Sequence, residues 1–224
     1  MSGSIRLYRY MSADAALKTI ESRSFRVGRL HELNDPFEWR MGVVGIIPEG
    51  EAFAQNQMQA VKEELSEQIG ILSFSDTVEE SVLWAHYGDT HRGVAFEVEY
   101  ILDPQSLFKM QYTDDRPVID ANRLRDHTGL NEYLLSVLQR LMIQKSLGWS
   151  YEREYRVFVD LSACDIAKGN YLRKIPDNFL IRVILGYRCP LEQSYVARSL
   201  AAQGLASTTV ARAKMCPHSY AIRC

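Results

Sequence analysis

The 224 residues carry 26 Lys and Arg against 28 Asp and Glu, a net charge of -2, with 46% hydrophobic and 24% charged residues. That balance is ordinary for a globular chain and excludes a global electrostatic pull toward nucleic acid or membranes, leaving only local patches. The length suits one sizeable domain over residues 1–224 and is short for two.

No apolar run approaches a membrane span, and the strongest, Phe179 to Gly186, is strand-sized. The opening Met-Ser-Gly-Ser-Ile-Arg has no basic segment followed by an apolar core. Cys164, Cys189, Cys216 and Cys224 are scattered, with no Cys-x-x-Cys pair. A cytoplasmic protein with free thiols, no bound metal and no membrane partner is expected.

In chain order, Ile5 to Tyr10 alternates apolar and polar residues and predicts a first strand. Ser12 can cap a helix from about Ala13 to Glu21, and Phe25 to Val27 reads as a short extended piece. The turn-rich segment His31 to Trp39 follows. Pro48 to Gly70 is polar and helix-forming, which predicts a surface helix or a variable insertion. Ile71 to Ser75 reads as a strand, Val82 to Tyr87 as a short helical turn, and Gly93 to Tyr100 and Phe108 to Tyr112 as strands. Leu134, Val137, Leu138 and Leu141 fall at helical spacing and predict a helix over 131–145, with Lys145 at its end. A strand over Tyr151–Leu161, a strand at Leu180–Leu185, a helix over Leu191–Ala202 stopped by Gly204, and a last strand at Ser207–Ala211 complete the pattern. Strands and helices do not alternate regularly, so an α+β domain with mixed or antiparallel sheets is expected rather than a doubly wound one.

The richest chemistry lies in Tyr151-Glu152-Arg153-Glu154-Tyr155-Arg156. On an extended strand Glu152, Glu154 and Arg156 share one face. Adjacent carboxylates in apolar surroundings push their pKa values apart, which suits acid, base or charge-stabilising work. A structural ladder in which Arg156 holds both glutamates fits the same pattern. Three further clusters accompany it. Tyr8 and Tyr10 share one face of the first strand and Arg9 takes the other. Asn34 and Asp35 precede Pro36 in a turn and offer fixed acceptors for an arginine or a ligand hydroxyl. Trp84, His86, Tyr87 and His91 sit in a loop with Gly88 and Gly93, where Trp84 or Tyr87 can stack a planar ring and His86 can donate to an oxygen. His86 and His91 do not form a recognised metal-ligand spacing.

Taken in order, Leu7-Tyr8-Arg9-Tyr10, Asn34-Asp35-Pro36-Phe37, Leu83-Trp84-Ala85-His86-Tyr87, His91-Arg92-Gly93 and Tyr151 through Arg156 resemble a widespread bacterial domain family of unknown function. That family also occurs on mobile elements and near defence genes. More loosely, a late strand with Glu-x-Glu and an aromatic, basic first strand are similar to the layout of ADP-ribosyltransferases. In place of a plain His or Arg the first strand has Tyr-Arg-Tyr, and Ser73-Phe74-Ser75 stands where one subgroup has Ser-Thr-Ser.

This second resemblance implies sheets forming a cleft with flanking helices, NAD as substrate, and cleavage of the nicotinamide–ribose bond. Glu154 would hydrogen-bond the ribose 2-hydroxyl, and Glu152 would position the acceptor or serve as a substitute carboxylate. Tyr8 or Tyr10 would stack nicotinamide, Arg9 or Arg156 would meet a phosphate, and His86 would position ribose. The function expected is a mono-ADP-ribosyltransferase-like enzyme, a toxin or anti-phage effector with a protein or nucleic-acid acceptor and an antitoxin or other defence-system partner. The alternatives are a non-catalytic nucleotide or nucleic-acid binding domain, and a hydrolase using the glutamates with His86.

Overall fold

The computed structural model describes residues 3–45, 50–101, 106–123 and 130–224. Its first half holds β1 (Ser4–Met11), α1 (Ala13–Ser22), β2 (Ser24–Arg26), β3 (Gly28–Arg29), β4 (Gly42–Val44), α2 (Glu51–Gln68), β5 (Ile69–Ser75), α3 (Ser81–His86) and β6 (Val94–Ile101). The second half holds β7 (Phe108–Lys109), β8 (Gln111–Thr113), β9 (Val118–Asp120), α4 (Leu130–Ile143), β10 (Gln144–Ser146), β11 (Glu154–Asp160), β12 (Asp165–Ala167), β13 (Asn170–Lys174), β14 (Leu180–Leu185), α5 (Gln193–Ala202), β15 (Thr209–Arg212), β16 (Lys214–Met215) and β17 (Ile222–Arg223). The architecture is α+β around an open mixed sheet of order β15-β14-β6-β1-β5-β11-β7, with β3 paired to β5.

That sheet is two ladders joined by a narrow seam. β1 pairs with β6 along its whole length, from Ser4↔Ile101 to Met11↔Val94. β5 pairs with β11 along its whole length, from Ile69↔Asp160 to Ser75↔Glu154. Between the ladders, β1 and β5 share one register pair, Tyr8↔Ser75. Beyond it the strands part, and the Arg9 guanidinium occupies the gap. It donates to the Ser73 carbonyl and to the Arg26 carbonyl, each at 2.9 Å.

Apolar faces hold the ladders to their helices. Leu7, Phe25, Phe74, Phe96, Val98 and Val183 form the main core with Ala16 and Ile20 of α1 and Val196 and Leu200 of α5. Ser12 caps α1 as its sequence position predicts, its Oγ accepting from Ala15 N at 3.2 Å. A second core gathers Leu30, Trp39, Met41 and Ile71 with Tyr133, Val137 and Leu141 of α4, and Met58 and Leu65 of α2 pack against it. The helix expected within Pro48–Gly70 is therefore α2, docked along one side, while positions 48 and 49 lie outside the described residues.

Three expectations need correction. The strand expected over Tyr151–Leu161 begins at Glu154, because Leu147–Glu152 winds as a 3-10 helix and Arg153 takes a left-handed conformation, φ 47°. Glu152 thus does not share a strand face with Glu154 and Arg156. The long helix stops at Ile143, so Lys145 does not end it. Lys145 sits on β10, opposite Tyr112 in a parallel pair with β8. The strand expected over Phe108–Tyr112 is split into β7 and β8, with the Met110 amide between them donating to the Glu154 carbonyl. Among the described residues no helix is long and apolar enough to cross a membrane.

Candidate functional site

Where β1 and β5 part, a cleft of about 350 Å³ opens, within reach of the range typical of small-molecule sites. β1 contributes Tyr8, Arg9 and Tyr10, and β5 contributes Ser73, Phe74 and Ser75. Asn34, Tyr87, Lys145, Glu152, Glu154 and Arg156 complete the lining together with Arg26, Gly28, Arg29 and Glu32. Parting the strands explains how residues from both faces of β1 reach one space. Tyr10 packs edge-on against Trp84 at 5.1 Å, whereas the Arg9 guanidinium lies 5.6 Å from the Phe25 ring and 5.8 Å from Phe74 on the opposite face.

One wall is a buried ion network. Arg156 donates to both oxygens of Glu154, at 2.8 and 3.0 Å, and its Nη2 lies 2.6 Å from Glu38 Oε2. Lys145 Nζ reaches Glu152 at 2.6 Å, Glu38 at 3.2 Å and Glu154 at 3.8 Å, and sits 4.7 Å from the Trp149 ring centre. Three carboxylates thus face two cations, all of them buried. Arg156 Nη1 has no hydrogen-bond partner among the described residues. At the cleft end, Tyr87 donates its hydroxyl proton to Glu152 Oε1, and Asn34 donates to the Tyr87 oxygen at 2.8 Å. Ser75 Oγ donates to the Glu152 carbonyl at 2.6 Å, which ties the 3-10 turn to β5.

The two glutamates titrate in opposite directions. Burial pushes Glu152 above the usual carboxylate range, against the attraction of Lys145 and the Tyr87 hydrogen bond. Burial also acts upward on Glu154, but Arg156 and Lys145 outweigh it and hold that carboxyl below the usual range. Lys145 is raised, its burial outweighed by the three carboxylates around it. Such a split assigns one carboxylate to permanent charge and leaves the other nearer to proton exchange.

Arg9, Arg26 and Arg29 also line the cleft. Arg26 pairs with Glu32 at 2.6 Å, and Arg29 pairs with Glu67. Arg9 makes no ion pair among the described residues, and burial together with the neighbouring Arg26 lowers it to about 10. The cleft is therefore lined by both signs of charge, with Arg9 close enough to Glu154 to feel its carboxylate.

Four of the residues singled out in the sequence stand outside the cleft lining. Trp84 is fully buried, with its indole N–H donating to the Val78 carbonyl at 2.8 Å, and so it cannot stack a ligand. His86 is exposed beside Tyr151, its Nδ1 3.0 Å from that hydroxyl. His91 packs near Tyr187, and Asp35 lines a separate cavity. The glycines expected to admit a ligand instead admit backbone. A Cβ on Gly93 would lie 2.2 Å from the Met11 carbonyl oxygen, and one on Gly88 would lie 2.9 Å from that of Trp84. Asp89, Thr90 and His91 are consecutive left-handed residues whose turn is held by His91 N to the Trp84 carbonyl and Gly93 N to that of Gly88. The His-Arg-Gly motif is thus a turn that seats β6.

Lys145 and Glu38, central to the network, were given no site role by sequence reasoning. Glu38 follows Asn34-Asp35-Pro36-Phe37, and a carboxylate so close to a tight turn was the available signal. Nothing about Gln144-Lys145-Ser146 distinguishes it from a solvated helix end.

A family described as "Protein of unknown function (DUF2971)" matches residues 83–157. That stretch runs from α3 to the middle of β11 and includes Tyr87, Lys145, Glu152, Glu154 and Arg156. It supports the family of unknown function expected from the ordered motifs. No curated protein and no solved structure matches the chain.

Proposed function

We propose that the cleft binds NAD and that the chain is an ADP-ribosyltransferase-like enzyme, the two ladders serving as the paired sheets of that fold. The observation that carries this reading is a cleft at a seam of one residue pair that brings Arg9 together with two carboxylates of opposite pKa shift. Guanidinium groups suit a pyrophosphate, and the carboxylates suit the cationic nicotinamide ribose.

In the reaction the nicotinamide–ribose bond breaks, its electron pair leaves on the ring nitrogen, and neutral nicotinamide departs. Positive charge develops on the ribose. Glu154, held ionised by Arg156 and Lys145, supplies fixed negative charge where that cation forms. Glu152, raised and hydrogen-bonded to Tyr87, takes the proton of the attacking acceptor hydroxyl, amine or guanidine. Tyr8 and Tyr10 flank the nicotinamide side and Arg9 the phosphate side.

A second reading, a nucleotide-binding domain without catalysis, draws on one observation: Arg156 covers both oxygens of Glu154. Nicotinamide release from NAD, with cell lysate supplying acceptors, separates the two. Release by the wild type that is lost in Glu154→Gln and in Glu152→Gln supports the enzyme. NAD binding without release supports the second reading. Neither binding nor release sinks both.

A further inference from the structure

The net charge of -2 hides an asymmetry. After Asp177 the chain holds six cations, Arg182, Arg188, Arg198, Arg212, Lys214 and Arg223, against Glu192 alone, a net +5, while residues 1–177 carry -7. Such an imbalance within one chain suits a polyanionic partner. We propose that the surface at the Leu185 end of β14 binds single-stranded nucleic acid, independently of what the cleft does with NAD.

The fold gathers the charge there. Just past β14 the Gly186 amide donates to the Gly93 carbonyl at 2.9 Å and the Arg188 amide to that of His91 at 3.1 Å, which sets Arg188 beside the exposed Arg92. The Leu185 carbonyl accepts from the Ala213 amide at 2.8 Å, so the β16–β17 hairpin starts at the same place. Two of the cations serve structure: Arg182 pairs with Glu97, and Arg212 donates to the carbonyls of Gly186, Cys189 and Leu191. Arg92, Arg188, Lys214 and Arg223 are exposed and make no ion pair among the described residues. Glu79, whose carbonyl accepts from Ile222, and Asp89, whose carbonyl accepts from Arg92, border the surface without pairing to these cations.

Two further observations select the partner. Lys214 and Arg223 stand directly opposite each other on the hairpin. Like charges in that position repel, which costs stability unless an anion lies across both. The second observation is aromatic. Tyr187 has the Arg188 guanidinium 5.0 Å and the His91 ring 5.4 Å from its centre, and Tyr220, in the turn of the hairpin, is 98% exposed. A tyrosine held clear of the fold, on a hairpin that carries two free cations, is a platform for an unpaired base while Lys and Arg meet the phosphates. A duplex keeps its bases stacked on one another and offers none to Tyr220, so single strands fit best. None of these residues lines the cleft, and the fate of the NAD reading leaves this one untouched.

The experiment is fluorescence anisotropy of labelled oligo-dT and oligo-U with the full chain across a salt series. Saturable binding that weakens as salt rises is expected, with single strands ahead of a duplex of the same length. Lys214→Ala with Arg223→Ala should weaken it and reduce the log–log salt slope by about 1.4, the counterions of two phosphates on a single strand. Tyr220→Ala should weaken it by about tenfold and leave the slope unchanged, since stacking releases no counterion. Arg188→Ala should reduce the slope by about 0.7, and it carries the test alone if the hairpin variants do not fold. Lys174→Ala removes an exposed cation from the acidic part of the chain and should change nothing. Phosphatidylserine vesicles and poly-glutamate represent the other polyanions. No oligonucleotide binding, binding to vesicles or poly-glutamate as tight as to the oligonucleotides, or full affinity in Tyr220→Ala would overturn the proposal.

Discussion

Two buried glutamate systems on one sheet show how differently the same ions can be arranged. Glu97 on β6 sits opposite Arg182 of β14 and pairs with it at 2.6 Å, with Arg6 of β1 at 3.3 Å. Both arginine side chains reach water, with relative exposures of 27% and 65%. One carboxylate thus has two cations that solvate themselves, the form of a structural cross-strand ladder. Around Glu154 the cations are the buried partners, Lys145 at 2% and Arg156 at 1% exposure, and carboxylates outnumber them. Arg156, which lines the cleft, keeps a buried Nη1 without a hydrogen-bond partner among the described residues. A sheet that pairs Glu97 with solvated arginines surrounds Glu154 with buried cations instead, the arrangement on which the proposed function draws.

The contrast is broken most severely at Arg156. Arg156→Met leaves Glu154 and Glu38 buried beside one remaining cation, and denaturant unfolding should register a loss of about 3–5 kcal/mol. Arg182→Met is the matched control. Arg6 remains and the site is partly solvated, so a loss of about 1 kcal/mol or less is expected. Equal losses at the two sites would dissolve the distinction.

Next in size is Glu152→Gln, expected to slow nicotinamide release by about 10²–10⁴-fold, the usual worth of a general base. An unchanged rate would leave Glu152 a purely structural partner of Lys145.

The pH dependence of stability sharpens the same point. Glu154 lies below its ordinary value of 4.5, so its contribution is full above that pH and is lost as pH falls through its depressed folded pKa. Glu152 lies above its ordinary value, so its contribution is full below pH 4.5 and is lost as pH rises through its raised folded pKa. Measured across both limbs, Glu154→Gln should flatten the acid loss and Glu152→Gln the loss on the other side. A shared response would mean the two carboxylates titrate as one unit.

The smallest effect belongs to Tyr87→Phe, which removes one hydrogen bond to Glu152 and should cost about 1 kcal/mol. Because that bond favours the ionised carboxylate, the activity limb tied to Glu152 should move to higher pH in the variant.

Much of this fold was legible in the chain. β14 runs over Leu180–Leu185 as its apolar run predicts, and β1, α1, β5 and β6 end within two residues of their sequence-based bounds. Those elements carry strong periodicity or a cap, and tertiary packing agrees with the local pattern. The error at Glu152 has a different origin. Tyr151-Glu152-Arg153 alternates well enough for a strand, but a left-handed Arg153, with its side chain paired to Asp76, ends the extended run. No local pattern announces that turn. The short pairs β4–β9 and β8–β10 join segments far apart in sequence, and single-segment periodicity does not detect such partners. Tyr8, Arg9, Tyr10, Asn34, Tyr87, Glu152, Glu154 and Arg156 do converge on one cleft. Trp84 failed as a ligand platform because an indole beside a turn reads the same whether it faces a cleft or the core.

The seam gives Arg9 a mechanical duty. With Tyr8↔Ser75 as the one rung between the ladders, Arg9 works as a rivet, fastening β1 to the Ser73 carbonyl and to the end of β2. On the proposed NAD-binding reading, a phosphate that drew those N–H groups away would unfasten the rivet at the moment of binding. Occupancy and the width of the gap then become one variable, and ligand should speed hydrogen exchange at the Ser73 to Ser75 amides rather than slow it. Slower exchange there on binding would mean that Arg9 holds the seam and the ligand together.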